Sequence, residues 1–274
     1  MVVYFGSELR INCKIIPMKV PGPTSVLIVL LLSFCSCEFT SGEGPILERE
    51  LELAPFSGVE LDGSFDVSID QGATQSVLVV GHENIIEKLK LNVIDEVLYV
   101  SLEQGSYINY ELEVQVVIPD LESAVLLGSG DIRLGTFVGL DDVAIELDGS
   151  GDIVTTDESV IESTSSMNVS LDGSGDIELK VKAKELNSEL EGSGDIDLEG
   201  IAESLIVELD GSGDIKAYDL EALNAEATLD GSGSIKLFVS KRLKANLDGS
   251  GDITYKGEPK VEASIDGSGT ISAK

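Results

Sequence analysis

Carboxylates bracket a short glycine motif again and again in the second half of this chain, and no other arrangement in it has obvious ligand chemistry. Immediately before Gly-Ser-Gly stand Asp148, Asp172, Glu191, Asp210, Asp230, Asp248 and Asp266; immediately after it stand Asp131, Asp152, Asp176, Asp195, Asp214 and Asp252. Ser234 and Thr270 take the second position in the other two copies. If the copies stack at strand spacing, like charges come within about 4.8 Å of each other, and in water each such pair repels by about 1 kcal/mol. Two arrangements would relieve this. In one, each carboxylate turns onto backbone N–H groups of its own turn and into solvent, which is ordinary chemistry for Asp beside Gly. In the other, Asp148, Asp152, Asp172, Asp176, Asp210 and Asp214 hold Ca²⁺ together with corner carbonyls, an all-oxygen set that this cation favours. The calcium-binding repeat Gly-Gly-x-Gly-x-Asp recurs about every nine residues, whereas here one Gly-Ser-Gly motif occurs every 18 to 24.

Catalytic chemistry is poorly provided for. The sole histidine, His82, sits between Gly81 and Glu83 and reads as a surface or turn residue. Lys241, Arg242 and Lys244 form a single basic cluster, better suited to a solvated face or a protected sheet edge than to clamping a substrate. A polysaccharide lyase or hydrolase would need a cleft built by long loops, with a carboxylate pair or an activated base inside it. Repeats this short leave little chain for such loops, so the chain is expected not to be an enzyme.

The elements that carry these carboxylates follow from the repeat. The triplets begin at Gly128, Gly149, Gly173, Gly192, Gly211, Gly231, Gly249 and Gly267. Two residues before each stands Leu126, Leu147, Leu171, Leu190, Leu209, Leu229, Leu247 or Ile265, and two after its last glycine stands Ile132, Ile153, Ile177, Ile196, Ile215, Ile235, Ile253 or Ile271. Stacked coils would turn these sixteen positions into two inward ladders, burying aliphatic surface at roughly 25 cal/mol per Å². Parallel strands paired between coils follow, and with them an all-β, single-stranded parallel β-helix. The triplet is its corner, because glycine enters positive φ without strain. The intervening serines would form a column whose hydroxyls can bond to neighbouring coils or turn carbonyls.

Upstream, residues 46–120 alternate apolar and polar positions without the triplet and read as a separate N-terminal β module. Its strands are expected at 50–53, 59–61, 65–69, 76–80, 91–94, 97–102 and 111–118, with one helical turn at 84–89. Residues 38–45 form a polar leader, and 121–274 form the repeat. Residues 1–37 are an upstream extension plus a secretory signal, with Met18 as the start, Lys19 as its charge and an apolar run from Val26 to Leu32. That run falls short of the roughly 20 residues needed to span a bilayer. Cys37 follows it behind Ser36 and resembles the lipidated cysteine of bacterial lipoproteins, although Phe34 stands where an aliphatic residue is usual. Cys13, Cys35 and Cys37 are the only cysteines, so the exported part can form no internal disulfide.

The formal net charge is −32, and the part beyond Cys37 holds 15 basic and 49 acidic residues. Nucleic acid is a poor partner for such a body, because its affinity depends on Lys and Arg neutralising phosphate. Contact with a membrane is expected through a lipid anchor alone.

The string FSGVELDGSFDVSIDQG at 56–72, the LDGSGDI repeats and the ending DGSGTISAK together resemble the bacterial head GIN domain family of auto-transporter adhesins, over about residues 46–274. The resemblance implies a right-handed single-stranded β-helix with an N-terminal β section, on secreted or lipoprotein chains. The function expected is a noncatalytic envelope or surface protein, an adhesin-like binding module or scaffold, whose partner is an extracellular glycan or protein. Its place would be the surface or outer membrane of a Gram-negative bacterium. The alternatives are a Ca²⁺-stabilised surface solenoid and a polysaccharide-active β-helix.

Overall fold

The computed structural model describes residues 39–156 and 158–274, and these are nearly all-β, 73% strand with about 2% helix. The segment expected to be a secretory signal, with Cys13, Cys35 and Cys37, lies outside the described residues. Among the described residues, no helix is long and apolar enough to cross a membrane.

The repeat region is a β-solenoid of about eight turns. Early coils consist of three short strands, as in Asp131–Leu134, Phe137–Leu140 and Val143–Gly149. Farther along, Asp176–Gly192, Asp195–Gly211, Asp214–Gly231 and Ser234–Gly249 run almost without interruption around a whole coil. Every pairing between these coils is parallel, and the expected register holds at the corners and ladder positions, with register shifts between them where coils differ in length, as between Ala217 and Glu221. Leu126 aligns with Leu147, which aligns with Leu171, Leu190 and Leu209 in turn; Ile153, Ile177, Ile196 and Ile215 align likewise. Fourteen of the sixteen ladder residues are buried, while Ile265 and Ile271, in the last coil, are not. Burying one such side chain contributes roughly 1.5–3 kcal/mol relative to leaving it in water, so the two ladders form the spine of the core.

The stack begins one coil before the first Gly-Ser-Gly. Gly58–Gly63 and Asp66–Gln71 pair in parallel with Ser123–Gly128 and Asp131–Leu134, with Gly63 opposite Gly128 and Val67 opposite Ile132. The sheet therefore runs straight through the boundary read at residue 120. Asp62-Gly63-Ser64-Phe65-Asp66 is a first corner in which Phe65 replaces the second glycine. Beyond it, Val97–Leu102 and Leu112–Ile118 continue the two faces in parallel. Antiparallel strands then close this end: Leu89–Ile94 on Val97–Leu102, and Ser76–His82 between Ile46–Leu51 and Leu112–Ile118.

Most expected strands of this region are present with ends moved by a few residues, and the helical turn is shorter, at Glu83–Ile86. The leader is not structureless. Phe39–Ser41 pairs in parallel with Ser106–Ile108, and the Asn84 amide ties it down by donating to the Ser41 carbonyl and accepting from the Glu43 N–H, both at 2.8 Å.

Candidate functional site

Six of the eight corners, from Gly149 to Gly249, are built the same way; at Gly128 the acid is replaced by Leu127, and at Gly267 the leucine is replaced by Ile265, which is exposed. An inward leucine and an outward acid lead into a glycine at positive φ, +127° at Gly192, for example. The carbonyl of that glycine then accepts the N–H of the serine in the next coil: Ser193 onto Gly173, Ser212 onto Gly192 and Ser232 onto Gly211, each at 2.9 Å. A Cβ on either glycine of the triplet would collide with the glycine carbonyl of the coil before it, as at Gly192 and Gly213. Both glycines are thus required by the close approach of backbones. Serine N–H groups, not hydroxyls, make the column; the hydroxyls expected to link the coils point outward from exposed residues, and those of Ser129, Ser150, Ser174, Ser193 and Ser212 make no hydrogen bond within the described chain.

The two acidic columns differ. Asp148, Asp172, Glu191, Asp210, Asp230, Asp248 and Asp266 lie in register before the corner and are all exposed. Those after the corner reach across to the next coil. Asp152 Oδ1 accepts the Asp176 N–H at 3.2 Å, Asp176 Oδ1 that of Asp195 at 3.2 Å, and Asp195 Oδ1 that of Asp214 at 3.1 Å. The backbone capping expected of these aspartates therefore occurs one coil farther on than local turn chemistry predicts. Where the column changes type, Asp214 accepts the Ser234 hydroxyl at 2.7 Å and Asp252 accepts the Thr270 N–H at 3.1 Å.

Basic residues on the same face offset part of the charge. Arg133 bridges Asp66 at 2.8 Å and Asp131 at 3.2 Å, Lys216 meets Asp195 at 2.6 Å, and Lys236 meets Asp214 at 3.4 Å. Burial raises the Asp131 pKa above the usual carboxylate value, as does the charge of Asp66, against the Asp152 N–H and Arg133. Burial acts on Asp214 too, but the Ser234 hydroxyl and the ammonium groups of Lys236 and Lys216 hold it below. Asp197 is raised chiefly by burial, with Glu199, Asp219 and Asp195 adding to the shift and Lys216 opposing it.

Of the six aspartates considered for Ca²⁺, Asp148 and Asp172 are neighbours in the exposed column, and Asp152 and Asp176 in the bonded one; Asp210 adjoins Glu191 and Asp230, and Asp214 adjoins Asp195 and Ser234. Among the described residues, no group of three or more His, Cys, Asp or Glu side chains is placed to hold a metal ion. The corner positions Gly128, Gly149, Gly173, Gly192, Gly211, Gly231, Gly249 and Gly267 all stand at positive φ. His82 Nδ1 accepts the Glu111 N–H at 2.9 Å, a strut inside the N-terminal end. Arg242 donates to Asn224 and Lys244 pairs with Glu226, so that basic cluster stitches coils together. The sequence reading missed Asp66 and Arg133 at the head of the column. The string DGSFD, one residue away from the repeat, was the signal.

The profile of the family described as putative auto-transporter adhesin, head GIN domain, matches residues 55–259. Among solved structures, a putative lipid binding protein from Parabacteroides distasonis is 26% identical with a TM-score of 0.80, covering 86% of this chain and 100% of that one. A putative adhesin from the same species is 21% identical with a TM-score of 0.76 and the same coverage. A putative adhesin from Parabacteroides merdae is 20% identical with a TM-score of 0.74, covering 86% of this chain and 99% of that one. At that identity the two adhesins bear on the fold alone. None of the curated proteins matches.

Proposed function

This chain belongs to the head GIN domain family, and from that premise we propose that it is a noncatalytic binding module displayed on a bacterial surface. The family and its fold are those of adhesin-like proteins. The observation that carries the reading is the fate of the corner carboxylates. Asp152, Asp176 and Asp195 are acceptors for the N–H groups of the next coil, so they hold a regular surface in register instead of standing ready to move protons. A rigid face of this kind suits an extended partner, glycan or protein, with little ordering cost on binding. In this reading Cys37 carries the lipid that holds the module on the outer membrane. The strapped leader from Phe39 onward fixes which end of the solenoid faces the anchor.

The test is a cell-binding and glycan-array screen of the exported chain, run beside a turnover assay on acidic polysaccharides. Specific binding without turnover is expected. Turnover abolished by one carboxylate substitution would overturn the reading. A second reading, binding of an acyl chain, draws on the lipid-binding name of the relative at 26% identity and on an open groove of about 430 Å³ whose lining includes Ala183, Ile201, Ala202 and Leu223, with Lys182 and Lys184 beside it. Displacement of a fluorescent fatty acid from the wild type but not from Ile201→Glu would favour it.

A further inference from the structure

The head of the corner column is closed by a pair of tyrosines. Below Ser64 and Phe65 the solenoid has no further glycine corner; Val97–Leu102 and Leu112–Ile118 continue the faces, and the chain between them carries Ser106–Ile108, which pairs with Phe39–Ser41. Tyr107 and Tyr110 meet edge to face there, with ring centroids 6.0 Å apart and planes at 69°. Their hydroxyls are already committed. Tyr107 donates to the Glu103 carbonyl at 2.7 Å, and Tyr110 shares a hydrogen bond with the Ser64 hydroxyl at 3.2 Å. The rings are thereby held in place beside an open hollow of about 500 Å³, lined among others by Ser64, Asp66, Tyr107, Asn109, Tyr110 and Glu113. Asn109 sits at φ +48°, a left-handed conformation that asparagine tolerates, and its exposed amide has no hydrogen-bond partner within the described chain.

We propose that this hollow is a saccharide site, selective for neutral or amino sugars. The inference rests on the binding-module reading and names its ligand class. Fixed aromatic surface suits the C–H faces of a pyranose, and a few convergent polar groups set its orientation. The Glu113 carboxylate accepts from sugar hydroxyls, and the Asn109 amide can both donate and accept. Charge sets the selectivity. Asp66 and Glu113 would repel a uronate or sulfate, and Arg133, the cation bonded to Asp66, is already shared between Asp66 and Asp131.

The experiment titrates the full exported chain with methyl glycosides of mannose, galactose, N-acetylglucosamine, glucosamine and glucuronic acid, followed by saturation-transfer NMR, beside a cell-binding assay on the same preparation. At least one neutral or amino sugar should bind and glucuronic acid should not. Tyr110→Ala should weaken binding at least tenfold, and Tyr110→Phe, which keeps the ring, should weaken it less. Asn109→Asp, which keeps the backbone preference but removes the amide donor, should also weaken binding of a neutral sugar and guards against a folding defect in the alanine variant. Sugar binding equal in wild type and Tyr110→Ala, or glucuronic acid bound as well as the neutral sugars, would overturn the site. Cell binding by both proteins without any sugar binding would sink the site and leave the binding-module reading standing. Binding of neither cells nor sugars would sink both.

Discussion

Replacing Gly192 by alanine tests whether the corners are held by backbone contact between coils. Gly192 stands at φ +127°, and a Cβ there would fall on the Gly173 carbonyl oxygen. That oxygen accepts the N–H of Ser193 at 2.9 Å and of Gly194 at 3.3 Å. Stretching or losing both bonds costs about 1 kcal/mol each, and the backbone conformation costs alanine a further 1–3 kcal/mol or so. The sum is roughly 3–5 kcal/mol. Gly139 supplies the control, because it also has positive φ, +76°, but a Cβ there meets nothing within 4 Å. Gly139→Ala should therefore show the backbone cost alone, about 1–2 kcal/mol. At roughly 2–4 °C per kcal/mol for a chain of this size, circular dichroism melts should place Gly192→Ala some 6–20 °C below wild type and Gly139→Ala well above that variant. Equal shifts in the two variants, or a Gly192→Ala melt within 2 °C of wild type, would refute the contact argument.

Ile196→Asp buries an unpaired carboxylate in a ladder position that has no exposure and should cost several kcal/mol, measured by urea unfolding; a fully stable variant would contradict the stacked core. Ser188 is buried with its hydroxyl unpartnered, between Val169 and Val207 in the same inward column, so Ser188→Ala should stabilise by about 1 kcal/mol or more in the same assay. The raised pKa of Asp197 means that its folded form binds the proton more tightly than the unfolded chain does, so its contribution is favourable at low pH and is lost as pH rises through the folded value. Asp197→Asn should accordingly raise Tm at pH 7, by a margin that shrinks as melts are taken at progressively lower pH. Millimolar CaCl₂ and NaCl of equal ionic strength should shift Tm equally, since the aspartates of the bonded column have backbone partners and diffuse repulsion is screened by any cation. A larger rise with calcium, lost in Asp172→Asn with Asp176→Asn, would restore the metal reading.

Periodicity made the solenoid legible. Sixteen aliphatic positions at fixed offsets from a glycine triplet leave little freedom in register, because a one-residue slip would turn each ladder outward. The first corner was harder to see. Phe65 breaks the motif, and it can do so because no further corner packs beneath it, a fact about the stack and not about the local string. The partners of Asp152 and Asp176 were misplaced by one coil for a similar reason: turn chemistry is written in neighbouring residues, whereas these bonds span 24 and 19 residues of chain. Phe39–Ser41 was hidden in a polar leader because three residues carry no period, and its strand exists only through Ser106–Ile108 and the Asn84 amide. The tyrosine hollow draws on residues near 64, 80 and 110, a meeting that no local pattern announces.

The serine-to-glycine column joins each coil only to its immediate neighbours. A duplicated coil inserted between Gly192 and Gly211 would therefore meet the same carbonyl on one side and the same N–H on the other, while the groove lined by Ala183, Ile201 and Leu223, which crosses these coils, would be rebuilt. Gain or loss of one 19-residue unit moves everything beyond it by about 4.8 Å along the axis. The gene can thus alter the reach of the protein in fixed small steps while leaving the tyrosine hollow at its head untouched.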